Sequence, residues 1–495
     1  MSRTASLPLF VERGDRTLQE QIYHGIRRCI LDGWIGVDRR LPSTRSMAAA
    51  LGVSRTTTLL AVEQLRAEGY LVARRGAGMY VAQRLPERSV VPVAPAGDSM
   101  QPPAFSRRGD SLARLQAPDR RRAATPACAF RLGTPALDVF PQRLWSQLTR
   151  EMLRSNRVAH RDYGDLAGLR ALREAIAEQM QTRGTRCDAD QVQIVSGAQR
   201  GLDHVARMLL DPGDTVWMED PGYTGARGAM LAASALVMPV PVDGEGMTVG
   251  NGVGARLAYV TPSCQFPLGH AMSLERRHAL LGWARTARAW IVEDDYDCDL
   301  RHDRDPLPCL HALDPDGRVI YVGTFSKTLF PALRLGFLIV PRDLQTGFIA
   351  ARLATDLHAP LLEQRVLAAF IQRGHYDRHL RRMQSVYAER LDALRRAIER
   401  SGAPMRLRRV QAGMHAVADL DGVNAERVQA AAAEQGIESM PLSSYYFGAG
   451  RRPNALLLGF GAVPPVGIRA GVSRLARIID TLRKGTLAMG DKAAR

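Results

Sequence analysis

Over the first eighty residues, apolar side chains recur every three or four positions, a spacing that predicts helices. Leu18, Ile22, Ile26, Cys29 and Ile30 form one stripe, preceded by a capping box of Thr17 and Glu20 and closed by Gly33. In LPSTRSMAAALGVSRTTTLLAVEQLRAEGYL, Ser43 or Thr44 caps a short helix through Leu51 and Gly52 turns the chain. Ser54 caps a second helix reaching Glu68, with Leu59, Val62 and Leu65 toward the core. LVARRGAGMYV then alternates around Gly76 and Gly78 as a hairpin does. Two helices joined by a glycine turn and followed by a hairpin form a winged helix-turn-helix, an α+β unit expected over residues 1–83. From 84 to 127 both periods vanish amid Pro, Ala, Arg and Ser, so a flexible linker is expected. From 128 to 495 short apolar runs alternate with helical stretches such as SLERRHALLGWARTARA. VQIVSGAQ, TVWMEDPGY, LAYVTPS, AWIVEDDYD, VIYVGTFSK and LGFLIVP each predict a buried strand. That alternation predicts an open, largely parallel α/β sheet, and hence a multidomain chain.

Composition adds charge to this picture. The 495 residues are 46% hydrophobic and 24% charged, as in a soluble globular protein. The net charge is +17, and residues 1–125 carry twenty arginines against eleven acids. A basic end implies a polyanionic partner, nucleic acid before membrane. No run of eighteen apolar residues occurs, the start lacks a secretory signal, and the six cysteines form no CxxC pair. Together these point to a reducing, cytoplasmic setting with neither a disulfide framework nor a metal site.

Two groups of residues carry candidate chemistry. Ser54, Arg55, Thr56 and Thr57 lie in the first turn of the second helix, the end that enters a major groove. Arg45 before it, and Arg74 and Arg75 in the wing, are candidates for backbone phosphates. The second group surrounds TFSKTLFPALRLG. Of sixty-seven basic residues only Lys327, Lys484 and Lys492 are lysines, and Lys327 alone sits mid-chain at a strand end. A desolvated lysine there can form a Schiff base, which arginine cannot. Asp294 is one strand away, placed to keep a pyridinium protonated, and Tyr223 offers a ring for stacking. Thr324, Ser326 and Arg334, with Gly197 to Gln199 leading into a helix, suit a phosphate. A lysine, an acid, a stacking ring and a phosphate cradle are what pyridoxal 5′-phosphate (PLP) requires.

Both parts resemble known families. LPSTRSMAAALGVSRTTTLLAVEQLRAEGYL is similar to the winged helix-turn-helix of GntR-type regulators, which implies DNA binding through Arg45, Ser54, Arg55, Thr56 and Thr57, with Gly78 at the wing tip. YGDLAGLRALREAI, VSGAQRGL, EDPGY, VTPSCQFPLG, VEDDYDCDL and GTFSKTLFPALRLGF resemble, in order, the fold-type I aminotransferase domain. The whole chain therefore resembles the MocR/GabR regulators. The resemblance implies that Lys327 forms the internal aldimine, Asp294 partners the pyridine nitrogen, Tyr296 lies near the phenolic oxygen and Tyr223 stacks on the ring. It places Ala198, Gln199, Thr324, Ser326 and Arg334 at the phosphate, and Tyr163 at the phosphate of a neighbouring subunit in a head-to-tail homodimer. A small subdomain is expected over about 365–495.

Two positions depart from the aminotransferase pattern. Phe266 stands where an Asn usually contacts the cofactor oxygen, with Gln265 as an approximate substitute. Leu457 stands where an Arg usually clamps the substrate carboxylate, with Arg451 or Arg452 as loop candidates to replace it. The expected function is thus a PLP-dependent transcriptional regulator, with no catalytic residues assigned. It would sense an amine, an amino acid or, with the clamp missing, PLP itself. The alternatives are a working aminotransferase with a DNA-binding head, and a DNA-binding protein whose large domain is a cofactor-free scaffold.

Overall fold

The computed structural model describes residues 16–74, 77–86, 105–113, 129–154, 162–250, 254–297, 300, 308–450 and 452–493. They fall into two compact units, Met1–Ala104 and Phe105–Arg495.

The first unit contains α1 (Leu18–Leu31), α2 (Thr44–Leu51), α3 (Arg55–Ala67), β1 (Leu71–Arg74) and β2 (Gly78–Val81). Thr17 and Glu20 cap each other's backbone N–H groups at the start of α1. Ser43 caps α2, Gly52 ends it in the left-handed region at φ +65°, and Ser54 caps α3. Ile22, Ile26, Ala61, Val62 and Leu65 are each at most 1% exposed and form the centre of this core. Leu59, expected inward, is instead 45% exposed, whereas Thr58 and Ala61 are buried. At 3.6 residues per turn, 58, 61, 62 and 65 form one stripe and 59 falls about 100° away from 58. The wing is an antiparallel hairpin pairing Leu71 with Val81 and Arg74 with Gly78. Arg75 and Gly76 lie outside the described residues.

The second unit opens with α4 (Arg107–Ala113), α5 (Gln142–Arg154) and α6 (Arg170–Gln181). It continues through β3 (Val192–Val195), α7 (Ala198–Leu209), β4 (Thr215–Asp220), α8 (Thr224–Ala232), β5 (Leu236–Asp243) and β6 (Gly246–Met247). Next come β7 (Leu257–Val260), α9 (Leu274–Ala287), β8 (Trp290–Asp295), α10 (Leu310–Leu313), β9 (Val319–Thr324) and β10 (Gly336–Ile339). α11 (Gln345–Ala351) and α12 (Leu361–Gln372) complete the large part. Helix α4 falls inside the expected linker and packs on α8. Its sequence signal is Ser106, whose Oγ accepts the Gly109 N–H at 3.1 Å.

The sheet runs β3-β10-β9-β8-β7-β4-β5-β6. Pairing is parallel from β9 through β5, and β10 is antiparallel to both of its neighbours. The central strands are buried runs because helices cover both faces. Val216, Met218, Val292, Ile320 and Val322 pack under α7 and α8. The alternate residues Trp217, Ala258, Ile291 and Val319 pack under α9 and α10. Each such fully buried aliphatic side chain contributes roughly 1.5–3 kcal/mol.

The smaller part holds α13 (His375–Ser401), β11 (Met405–Leu407), β12 (His415–Leu420), α14 (Ala425–Glu434), β13 (Met440–Pro441), β14 (Ala455–Gly459) and α15 (Pro465–Ala493). Its antiparallel sheet runs β11-β12-β14-β13. The division lies within α13 rather than at 365. Val366 to Ile371 of α12 belong to the core beneath β9 and β10, while Leu391 to Ile398 of α13 belong to the core of the small sheet. Phe130 and Ala136 join that second core, and Phe130 bridges to Gly459.

A Cβ added at Gly336 would stand 2.7 Å from the Gly323 carbonyl oxygen and 3.0 Å from the Ala198 nitrogen, both backbone atoms. Gly336→Ala is therefore expected to cost about 1–3 kcal/mol. In thermal unfolding monitored by domain-specific proteolysis, the midpoint of the second unit should fall while that of the first stays put. An unchanged midpoint for the second unit would show that the β9–β10–α7 junction has room to spare.

Candidate functional site

Strand alternation sorts the acids at the ends of β4 and β8. Asp294 shares the α7/α8 face with Val292, and its carboxylate accepts a 2.7 Å hydrogen bond from the buried Tyr259 hydroxyl. Glu293 and Asp295 point the other way. Glu293 accepts the Leu310 and His311 N–H groups at the start of α10, and Asp295 accepts the Tyr321 hydroxyl at 2.6 Å. Asp294 alone of the three therefore lies on the α7/α8 face at the carboxyl end of the strand. Burial pushes its carboxyl up to about 6, opposed by the Tyr259 hydrogen bond and by Lys327.

Lys327 follows β9, the neighbour of β8. Its Nζ donates to the Gly133 carbonyl oxygen at 3.0 Å, and a Cβ at Gly133 would stand 2.6 Å from that nitrogen. Burial holds the Lys327 ammonium below its usual range, while the carboxylates of Asp297 and Asp294 pull it back up. The amine is thus biased toward its nucleophilic neutral form and confronted with acids.

A cradle lies beside it. Gly197 starts α7 at φ +89° and brings no side-chain cap, so the first-turn N–H groups of Ala198 and Gln199 are available to an anion. The Arg334 guanidinium lies 3.3–3.5 Å from where a Gly197 Cβ would stand, and its Nη2 donates to the Ser196 carbonyl at 3.3 Å. Thr324 Oγ1 accepts the Ser326 N–H at 3.2 Å. The Tyr223 hydroxyl donates to Gln199 Oε1 at 3.3 Å, which ties the expected stacking ring to the cradle. The donors, the lysine and the buried acid fit a phosphorylated pyridine aldehyde.

Other expected residues fall differently. Gln265 does not open toward the site. Its Nε2 donates to Glu219 Oε2, the Pro221 carbonyl and the Phe266 carbonyl, and its Oε1 accepts the Leu268 N–H. It braces the loop after β7 and cannot also replace the missing Asn. The Tyr296 hydroxyl donates to the Cys264 carbonyl at 2.9 Å, and burial raises its phenol well above the usual range. Tyr163 is 80% exposed, with its ring edge-on to His358. Leu457 is fully buried on β14 opposite Val417, Arg452 reaches the Ser443 carbonyl, and Arg451 lies outside the described residues. Sequence reading missed Gly133, Tyr259, Asp297 and His415. Tyr259 could have been found, since it lies on β7, the strand beside that of Asp294. Asp297 lies in the VEDDYDCDL stretch, three residues after Asp294, whereas Gly133 and His415 come from distant segments and carried no local signal.

In the first unit, Arg45, Arg55 and Thr56 are exposed at the start of α3 and on α2. Ser54 and Thr57 are half engaged with each other through the cap, with their hydroxyl oxygens 2.7 Å apart. Arg74 is paired with Asp38 and lies over the Tyr80 ring, so its guanidinium is not independent. Gly78, at φ +101°, lies against Arg40, an exposed arginine that sequence reading passed over.

The gntR family of bacterial regulatory proteins matches residues 18–81, and the aminotransferase class I and II family matches residues 141–465. The chain is 40% identical to the probable rhizopine catabolism regulatory protein MocR of Rhizobium meliloti, over 97% of this chain and 96% of that one. It is 32% identical to the HTH-type transcriptional regulator TauR of Rhodobacter capsulatus, over 94% and 97% of the two chains. Among solved structures it resembles LysN, the alpha-aminoadipate aminotransferase of Thermus thermophilus complexed with N-(5′-phosphopyridoxyl)-L-leucine. The identity is 29% and the TM-score 0.69, covering 77% of this chain and 98% of that one. No helix among the described residues is long and apolar enough to cross a membrane.

His415 lies on β12, where its Nε2–H donates to the Pro267 carbonyl at 3.1 Å and burial lowers its pKa from 6.5 to about 4. The unfolded chain therefore takes up this proton first as pH falls. The stability His415 contributes is complete above pH 6.5 and is lost toward pH 4, at up to about 1.4 kcal/mol per pH unit. His415→Gln should flatten the fall in urea-unfolding stability between pH 6.5 and 5. An unchanged slope would mean that the imidazole is not held neutral.

Proposed function

The chain belongs to the MocR-type transcriptional regulators, which join a gntR-family head to an aminotransferase class I and II domain, and we propose that it reports the state of a PLP site in the large domain to operator DNA. One observation carries the reading: a part-buried lysine, held below its usual pKa, faces a buried aspartate beside an uncapped helix start.

In this reading Lys327 is the covalent anchor of the cofactor. Asp294 holds a proton at the pyridine nitrogen, Tyr223 covers the ring and Tyr296 lies toward the phenolic edge. Ala198, Gln199, Thr324, Ser326 and Arg334 grip the phosphate. When bound, PLP supplies an aldehyde carbon that primary amines can attack. Tyr163, exposed on this protomer, reaches the cofactor of the neighbouring subunit in a head-to-tail homodimer. Arg45, Arg55 and Thr56 enter or flank the major groove, with the Gly78 wing and Arg40 beside the backbone. The site serves sensing rather than turnover, because Leu457 leaves a substrate carboxylate without a partner. The signal is PLP itself or an amine that engages it. Such a ligand moves the DNA-binding equilibrium only by binding the two arrangements of the protein with different affinity.

The test uses DNA that the full chain selects from a random library. Arg55→Ala should weaken binding by about tenfold or more, the cost of losing a base-edge contact. PLP should change the gel shift of the wild type and leave that of Lys327→Ala unchanged. Equal responses in the two proteins would overturn the reading.

A further inference from the structure

The charges bearing on Lys327 are carboxylates, Asp297 and Asp294. His415, also close enough to feel Lys327, is kept neutral by burial. Beside this acidic floor stands Phe266. Its ring meets Tyr223 at 5.8 Å, Tyr296 at 6.0 Å, His415 at 5.5 Å and Tyr445 at 5.1 Å, all edge-on. The small sheet adds a buried apolar cluster against which Tyr445 packs. Leu457 and Val417 are paired in register and packed with Leu268 and Leu442. Arg406 and Arg408 at that sheet share the one carboxylate of Asp419. Arg131, two residues before Gly133, is held by both oxygens of Glu438.

We propose that the ligand read at this site is a hydrophobic primary amine without an acid group. Its nitrogen lies toward Lys327, and its apolar arm lies on the Phe266 cluster. The proposal rests on the PLP reading above and names the class of amine. With Asp294 engaged at the pyridine nitrogen, an ammonium entering here meets the Asp297 carboxylate, which attracts a cation. An apolar arm gains aromatic contact. A carboxylate on the same molecule would lose its water beside Asp297, and the buried Leu457 offers it no ion pair. Phe266, which is only partly buried, thus receives the arm, while the fully buried Leu457 supplies no partner for an acid.

A matched pair of probes isolates the acid group. The full-length protein is loaded with PLP, loading is read from the near-ultraviolet absorbance of the bound vitamin, and 2-phenylethylamine and phenylalanine are titrated in separately by calorimetry. The amine is expected to bind at least about tenfold tighter, the penalty for one buried unpaired charge. Leu457→Arg should narrow or reverse that ratio by strengthening phenylalanine binding. The wild-type comparison stands by itself if this variant does not fold. Phenylalanine binding as tightly as the amine, or neither probe binding the loaded protein, overturns the proposal while leaving the PLP reading intact. Failure to take up PLP, visible before any titration, overturns both.

Discussion

Lys327 and Asp294 stand at the ends of adjacent strands, each buried enough that its charged form is penalised and each partly compensated by the other. Such a pair is expensive to hold in a protein interior, and the surrounding fold can be understood as its support. The β8–β9 register sets the two strand ends side by side, and Tyr259 fixes the carboxylate from β7. The Gly133 carbonyl, from a segment whose neighbours pack into the small subdomain, fixes the amine. The contact therefore joins both parts of the large unit, so a change in how they pack bears directly on the lysine.

Much of this was legible in the sequence because local rules and tertiary demands coincide. The caps at Thr17, Ser43 and Ser54, the left-handed Gly52 and the six apolar strands all follow from short-range chemistry, and all occur. Lys327 and Asp294 were identifiable because strand ends in such a sheet converge. What stayed hidden was set by long-range contact. Gln265 reads as a polar substitute for a missing Asn, yet its amide is drawn into the loop by Glu219 and three backbone groups. Arg74 reads as a phosphate ligand, yet Asp38, thirty-six positions away, already holds it. Helix α4 was masked by a composition typical of linkers, although Ser106 supplies a cap.

The departures from an enzyme's pattern form one set. Phe266 packs edge-on against Tyr223, Tyr296, His415 and Tyr445, and Leu457 lies in the apolar cluster of the small sheet. In the proposed reading both stand where an enzyme would carry a polar contact. A sensor can tolerate that exchange, because it must hold a ligand and need not orient one for turnover. The head and the large domain then divide the work. The first carries exposed arginines at the starts of α2 and α3, and the second carries a lysine whose ammonium form burial disfavours, a property that arginine cannot share.

With only three lysines in the chain, covalent capture can be read residue by residue. The protein is incubated with PLP, reduced with borohydride, digested and analysed by mass spectrometry, alongside Lys327→Ala. The account predicts a pyridoxyl group on the peptide containing Lys327 and its loss in the variant. Equal labelling of the variant, or a wild-type label confined to Lys484 and Lys492, would contradict it.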